Sequence, residues 1–133
     1  MNRGTLVCAV ALTTTALGLA VAAVSSAGAA STGPAASPAL QSAVADVSRV
    51  APRLEQYYFT HGYPRDLAGA KASMSRAGQT LSPGNKLGGY RYDDRAREFV
   101  LCVQNRSGAF ATYDTAPMAT GVQGESGGCP TLT

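Results

Sequence analysis

Few residues in this chain of 133 amino acids carry side chains that could act in catalysis. His61 is the single histidine, so a Ser-His-Asp or Cys-His nucleophile would have to use it as its base. It stands at the predicted C-terminal end of a helix, where a histidine commonly caps the last turn and faces the helix dipole. One histidine and two cysteines that we expect to be paired leave too few ligands for zinc. No glycine-rich phosphate loop links a strand to a helix. We therefore expect no enzyme activity and no cofactor.

Calcium is the metal for which the sequence offers the most oxygen ligands. Asp114 and Glu125 flank a glycine-rich tail, and backbone carbonyls of that tail could complete a calcium shell. Asp93 and Asp94 form a second pair of carboxylates. Ordinary turn composition explains both pairs equally well. We interpret Asp114 and Glu125 as weak calcium candidates and expect no metal site.

Four aromatic residues close together in the chain are the best candidates for a binding surface: Tyr57, Tyr58, Phe59 and Tyr63. On a helix only one or two of them can face the same neighbour, because successive side chains are about 100° apart. Exposed aromatic side chains are typical of interfaces, so Tyr57, Phe59 and Tyr63 form a candidate interaction surface. We nevertheless expect the connector that follows the helix to fold over them.

Residues 1–30 have the three parts of a secretory signal peptide. Arg3 precedes an apolar run over residues 6–24, and the segment ends in an Ala-Gly-Ala-Ala sequence. Cleavage after Ala29 or Ala30 would release a secreted or extracellular protein. The alternative is an uncleaved segment that anchors the protein, because the apolar run approaches the roughly 20 residues that span a bilayer. The membrane would then be contacted through this segment alone.

The charge balance argues against nucleic acid as a partner. Eleven Lys and Arg residues stand against eight Asp and Glu, a net charge of +3 that falls to +2 if Arg3 is removed with a signal peptide. So small and scattered an excess is ordinary solvated surface, not the basic patch that nucleic acids require. A protein partner or self-association is the interaction that we expect.

Two cysteines, Cys102 and Cys129, lie beyond the signal segment. An exported protein meets an oxidising environment, where an even pair of cysteines predicts a disulfide bond. The bond would close a loop of about 27 residues, and loop-closure entropy then contributes roughly 3–4 kcal/mol to stability. Two free thiols are the alternative.

A long amphipathic helix is predicted over residues 38–61. Ser37 is a good N-cap, Pro38 suits the first turn, and Gly62 supplies the stop. Pro52 lies inside the helix, and because the apolar stripe keeps its phase across it we expect a kink, with two shorter helices as the alternative. The stripe has heptad spacing and consists of Leu40, Val44, Val47, Ala51, Leu54 and Tyr58.

The remainder of the chain predicts a small antiparallel sheet. Strand patterns cover residues 87–92, 98–104 and 109–113, separated by turn sequences. A connector, residues 65–81, leads to the sheet, and residues 114–133 form a glycine-rich tail that we do not expect to order itself well. The predicted fold class is α+β, with a long N-terminal amphipathic helix packed on a small three-stranded antiparallel sheet.

Five short motifs follow one another along the chain: Tyr57-Tyr58, His61-Gly62-Tyr63-Pro64, Ser82-Pro83-Gly84-Asn85, Phe99-Val100-Leu101-Cys102-Val103 and Gly127-Gly128-Cys129-Pro130. Their order and spacing resemble the soluble domain of type IV pilin-like proteins, including the pseudopilins of type II secretion. The start of the chain differs from that family, because Thr5 and Ala9 stand where Phe and Glu are usual. The resemblance implies a pilin-like α+β domain over residues 38–133, after a small-residue linker at residues 31–37.

The same resemblance implies a function. We expect an exported, non-enzymatic bacterial protein that acts as a structural or adhesive module at the cell surface. The alternative is a soluble secreted binding protein, or a protease inhibitor that uses the glycine-rich tail. The two differ at the N-terminus, because a cleaved signal peptide favours the soluble binder and a retained membrane helix favours an assembly role.

Overall fold

The computed structural model describes residues 34–133, which form two helices and one antiparallel sheet. In chain order the elements are α1 (Pro38–His61), α2 (Leu67–Arg76), β1 (Asn85–Asp93), β2 (Glu98–Asn105), β3 (Phe110–Asp114) and β4 (Ala119–Gly124). The strands lie side by side in the order β1-β2-β3-β4. The α+β class with an antiparallel sheet, predicted from the sequence, is confirmed. The predicted signal segment, residues 1–30, lies outside the described residues.

Local capping fixes both ends of α1. The Ser37 hydroxyl accepts a hydrogen bond from the Leu40 amide at 3.1 Å, and Pro38 occupies the first turn, where a missing N–H is tolerated. Gly62 ends the helix at a φ of 87°, which favours glycine, and its N–H donates to a carbonyl of the last turn at 2.8 Å. The helix continues through Pro52, so the alternative of two shorter helices is wrong. Neither helix in residues 34–133 has the length and apolar character to cross a membrane.

The apolar stripe of α1 is the face that packs on the sheet. The buried residues of the helix are Leu40, Ala43, Asp46, Val47, Val50, Ala51, Leu54 and Tyr58. The stripe predicted from heptad spacing is therefore buried, except that Val44 is half-buried. The sheet contributes Leu87, Phe99, Leu101, Val103, Ala111 and Tyr113 to the same core. Because each large apolar side chain buried in this way contributes about 1.5–3 kcal/mol, this contact between helix and sheet is the main source of stability.

The sheet has four strands and not the three that the sequence predicts, because the glycine-rich tail supplies β4. A Cβ at Gly121 would lie 2.9 Å from Thr112 Oγ1, and a Cβ at Gly124 would lie 2.6 Å from the ring of Phe110. Glycine is therefore needed where the side chains of β3 lean over β4. The prediction that this tail orders poorly is wrong, since the same glycines allow two strands to approach closely.

The predicted disulfide between Cys102 and Cys129 is present and joins β2 to the C-terminal segment. It lies on the face of the sheet opposite α1, because the neighbours of Cys102 in β2 point towards the helix. The register of β1 shifts at Gly88, where a Cβ would lie 2.6 Å from Cys129 Sγ. At Gly89 a Cβ would lie 3.2 Å from Leu132 Cδ1. Adjacent glycines in β1 thus let the disulfide and the C-terminal segment cover the outer face of the sheet.

One buried polar residue, Asp46, ties α1 to the start of the sheet. Asp46 is 1% exposed. Its carboxylate accepts hydrogen bonds from the Ser82 amide at 2.6 Å, the Ser82 hydroxyl at 3.0 Å, the Asn85 side chain at 2.8 Å and the Arg49 guanidinium at 2.8 Å. Burial raises the pKa of Asp46, but the hydrogen bonds from Asn85, Arg49 and Ser82 outweigh burial and leave this pKa below its usual value. The carboxylate is therefore ionised at neutral pH, and both of its oxygens accept hydrogen bonds.

Replacing Gly88 with Ala should lower the free energy of unfolding by about 1–3 kcal/mol, because the new methyl group would overlap Cys129 Sγ. Chemical denaturation of the oxidised protein measures this change. In a Cys102→Ala/Cys129→Ala background the same substitution should cost much less, since the sulfur is gone. Lys86→Ala, an exposed change in the same strand, is the control. An equal cost of Gly88→Ala in both backgrounds would contradict the steric explanation.

Candidate functional site

The last turns of α1 carry a cluster of aromatic rings built around Tyr58. Tyr58 is fully buried. Its ring centroid lies 5.4 Å from that of Phe99 on β2, 5.6 Å from that of Tyr63 and 6.2 Å from that of Tyr90 on β1. These are edge-on or tilted contacts, the arrangements that aromatic quadrupoles favour. The cluster holds the C-terminal end of the helix against the sheet.

Two tyrosine hydroxyls in this cluster are buried without a hydrogen-bond partner among the described residues, those of Tyr58 and Tyr90. Burial raises the pKa of both hydroxyls, with a smaller contribution from neighbouring tyrosines, so both stay neutral at any ordinary pH. An unpaired buried hydroxyl costs about 1–3 kcal/mol. Ring packing must outweigh this cost for the cluster to be stable.

Phe59 stands outside the cluster and is 83% exposed. It directly follows Tyr58, so its side chain points about 100° away from the sheet. The connector does not cover it, because α2 begins at Leu67 and packs against β1. The prediction that the connector folds over the aromatic residues is therefore wrong for Phe59. A large apolar ring is left in water.

The other two residues of the predicted surface, Tyr57 and Tyr63, are half-buried and lie apart. Tyr57 stacks on His61, with ring centroids 4.0 Å apart and planes 4° from parallel. Tyr63 stacks on Tyr92 in β1, with centroids 4.9 Å apart and planes 8° from parallel. Tyr63 lines the same depressions as Phe59, whereas Tyr57 lines a separate one. The structure thus brings Phe59 and Tyr63 together and leaves Tyr57 on another side of the helix.

An open cleft of about 820 Å³ lies beside Phe59, between the end of α1 and the turn that joins β1 to β2. Its lining residues are Glu55, Tyr58, Phe59, Gly62, Tyr63, Arg65, Tyr92, Asp94 and Arg97. A smaller groove of about 450 Å³ lies next to it, and Glu55, Phe59 and Tyr63 line both. The ring of Phe59 therefore stands between two depressions. We call Phe59, Tyr63 and these two depressions the Phe59 surface.

Charges of both signs surround the cleft. Glu55 and Asp94 are acidic, and Arg65 and Arg97 are basic. Burial raises the pKa of Tyr63, and Glu55 and Tyr92 raise it further, while Arg97 lowers it. Glu55, Tyr63 and Arg97 line the same cleft. The cleft combines aromatic area with a balanced set of charges, a composition suited to binding a partner that is itself mixed in charge.

Among residues 34–133, the hydrogen-bond partners of His61 are neighbours in its own helix. Its Nδ1 lies 2.7 Å from the Thr60 hydroxyl and 3.0 Å from the Tyr57 carbonyl, and the side chain is exposed. A nucleophilic site would need the base to be oriented by a third group such as a carboxylate. Residues 34–133 contain no group of three or more His, Cys, Asp or Glu side chains that could hold a metal ion. His61 caps α1, as its place in the sequence suggests.

The two weak calcium candidates lie at opposite ends of the β3–β4 hairpin. Asp114 pairs with Ala119 next to the turn, whereas Glu125 follows Gly124 at the far end. Four residues of strand separate the two ends, roughly 13 Å. The carboxylate of Asp114 accepts a hydrogen bond from the Ala116 amide at 2.9 Å. Asp114 and Glu125 therefore cannot share one ion.

Glu125 instead fastens the start of α1. Its carboxylate accepts hydrogen bonds from the Ser37 hydroxyl and, at 2.9 Å, from the Ser37 amide. These bonds, the hydroxyl first, hold the pKa of Glu125 below its usual value. The helix N-cap and the residue after β4 are thus joined across a long stretch of chain.

Sequence reasoning missed most of the charged residues around the cleft, Glu55, Arg65 and Arg97. Glu55 carries a signal in hindsight, because it stands one helical turn before Phe59 and so lies on the same side of α1. No sequence pattern could have placed Arg65 and Arg97 at the cleft, because both lie outside the helices and strands, in segments whose position depends on the tertiary fold. Arg97 adopts a φ of 58°, the left-handed conformation at the fourth position of a hairpin loop.

The chain shows no match to a family model, to a curated protein or to a solved structure. The interpretation of the Phe59 surface therefore depends on its own geometry and chemistry.

Adjacent residues of α1 give a direct test of this geometry. Phe59→Ser should change the free energy of unfolding by no more than about 0.5 kcal/mol, because the ring is already in water. Tyr58→Ser should cost about 3–5 kcal/mol, because it empties the centre of the aromatic cluster. Urea denaturation of both variants measures the difference. A loss of more than about 2 kcal/mol for Phe59→Ser would mean that the ring is covered.

Proposed function

We propose that this chain is an exported, non-enzymatic, pilin-like protein that acts as a structural or adhesive module at the cell surface. The observation that carries the proposal is the order and packing of the elements. One long helix, α1, packs on an antiparallel meander, and a disulfide closes the C-terminal segment. This is the arrangement that the resemblance to pilin-like soluble domains implies.

A non-catalytic role fits the chemistry of the described residues. His61 bonds to Thr60 and to a backbone carbonyl of its own helix, and the carboxylates of Asp46 and Glu125 are used to join elements. Phe59 is the most exposed of the large apolar side chains in residues 34–133, and it lies beside a cleft of mixed charge. Aromatic residues of this kind supply large contact area at low cost in conformational entropy, which suits a protein that acts by contact.

A soluble secreted binding protein is the second candidate. The Ala-Gly-Ala-Ala sequence that ends residues 1–30 favours it, because cleavage there would release the domain. The open cleft of about 820 Å³ offers a place for a ligand. The protease-inhibitor form of this candidate has less support, since much of the glycine-rich tail is paired in the sheet as β4.

The mature N-terminus separates the two candidates. If the first candidate is right, the protein lies in the envelope or at the surface of the producing cells and keeps residues 6–24 as a membrane segment, without the cleavage after Ala29 or Ala30 that the signal-peptide pattern favours. Cell fractionation with protease treatment of intact cells gives the location, and N-terminal sequencing of the recovered protein gives the cleavage site.

Two other outcomes are decisive. A protein that begins at Ala30 or Ser31 and is free in the medium would replace the first candidate with the soluble binder. Protein that stays inside the cell with its start intact would contradict both candidates, because neither acts without export.

A further inference from the structure

The Phe59 surface places a protruding ring beside hollows that could receive one. Phe59 is 83% exposed, and the groove of about 450 Å³ on one side of it is lined partly by Pro52 and Tyr63. A projection and a depression that lie side by side on one face are what a two-fold contact needs, because the projection of each copy can enter the depression of the other. A contact with a different protein does not need a projection and a depression on the same face.

The charges around the cleft have the same self-complementary character. Two carboxylates, Glu55 and Asp94, and two guanidinium groups, Arg65 and Arg97, line it. Within residues 34–133 the one salt bridge joins Arg49 to Asp46, so these four groups do not pair with one another. A strongly acidic or strongly basic partner would attract two of these groups and repel the other two. In a second copy turned by 180°, the carboxylates of each cleft can face the guanidinium groups of the other.

From this combination we propose that the Phe59 surface binds the same surface of a second copy of this chain in a two-fold contact. Each Phe59 ring enters a depression of the other copy, and the acidic groups of one cleft face the basic groups of the other. A contact of this type is closed and yields a dimer, because the same surface of both copies is occupied once two copies have bound. The inference goes beyond the proposed function, since the pair forms or fails to form whatever the route of export.

The test uses the full chain as producing cells process it, purified and studied by sedimentation equilibrium from about 1 to 100 μM. The wild type should be a dimer in this range. Phe59→Ser should weaken the dimer at least ten-fold while the circular dichroism spectrum stays unchanged. Lys71→Glu, an exposed change on α2 away from the cleft, should leave the dimer intact.

Charge reversal makes the test independent of which acid faces which base. One variant, Glu55→Arg/Asp94→Arg, has four basic groups at the cleft, and the other, Arg65→Glu/Arg97→Glu, has four acidic groups. Each alone should be monomeric, because like charges would face each other across the axis. An equimolar mixture should form a one-to-one dimer again, because every acidic group then faces a basic one.

Several results would overturn the proposal. A wild type that is monomeric over the whole range excludes the second copy and leaves the surface to a different partner. A dimer that survives Phe59→Ser is formed through another surface. Charge-reversed variants that stay folded but do not pair with each other show that the contact is not two-fold at this cleft. None of these results bears on export, which the N-terminus and the cell fraction decide separately.

Discussion

The buried carboxylate of Asp46 is the constraint on which the position of α1 depends. An apolar helix face can turn by some tens of degrees and still bury much the same area, but an ionised carboxylate in the core must keep its hydrogen bonds. The donors, Ser82 and Asn85, lie on the segment that opens the sheet, and Asn85 is held in turn by the side chain of Asn105 on β2 at 2.7 Å. Asp46 therefore fixes the rotation of α1 about its own axis.

The exposure of Phe59 follows from that rotation. With Asp46 held by Ser82 and Asn85, Tyr58 on the same helix is directed into the aromatic cluster with Phe99. Phe59 is then directed to solvent at the edge of the cleft, and the cap at Gly62 turns the chain so that Tyr63 comes back to line the same cleft. A polar contact near the middle of α1 and an aromatic one near its end thus determine which side chains are offered to a partner.

The sequence predicts features that depend on residues close together in the chain, and it misses features that depend on residues far apart in the chain. Ser37 and Gly62 mark the ends of α1 because capping is a local effect. The partners that join Asp46 to the sheet, Ser82 and Asn85, lie 36 and 39 residues away, so this role cannot be seen without the fold. Gly124 suggests a flexible tail until the ring of Phe110 is seen to occupy the space of its missing Cβ. At the candidate site, helical spacing shows that neighbouring aromatic residues cannot all be buried. The rotation of α1 and the path of the connector together decide that Phe59 is the exposed one.

The measurement that tests this account most directly compares the unfolding free energy of the wild type and Asp46→Asn as a function of pH. The lowered pKa of Asp46 means that its contribution to stability is full above the unfolded-state value near 3.8 and is lost as the pH falls through the lower folded-state value. Other carboxylates with lowered pKa values, such as Glu125, are present in both proteins and cancel in the difference. We expect the variant to be less stable by about 3 kcal/mol at pH 7, because an amide group would face the donors of Ser82 or Asn85, and the gap should narrow below about pH 4. Equal stability at pH 7, or a gap that does not change with pH, would contradict the claim that the charged carboxylate holds α1 in place.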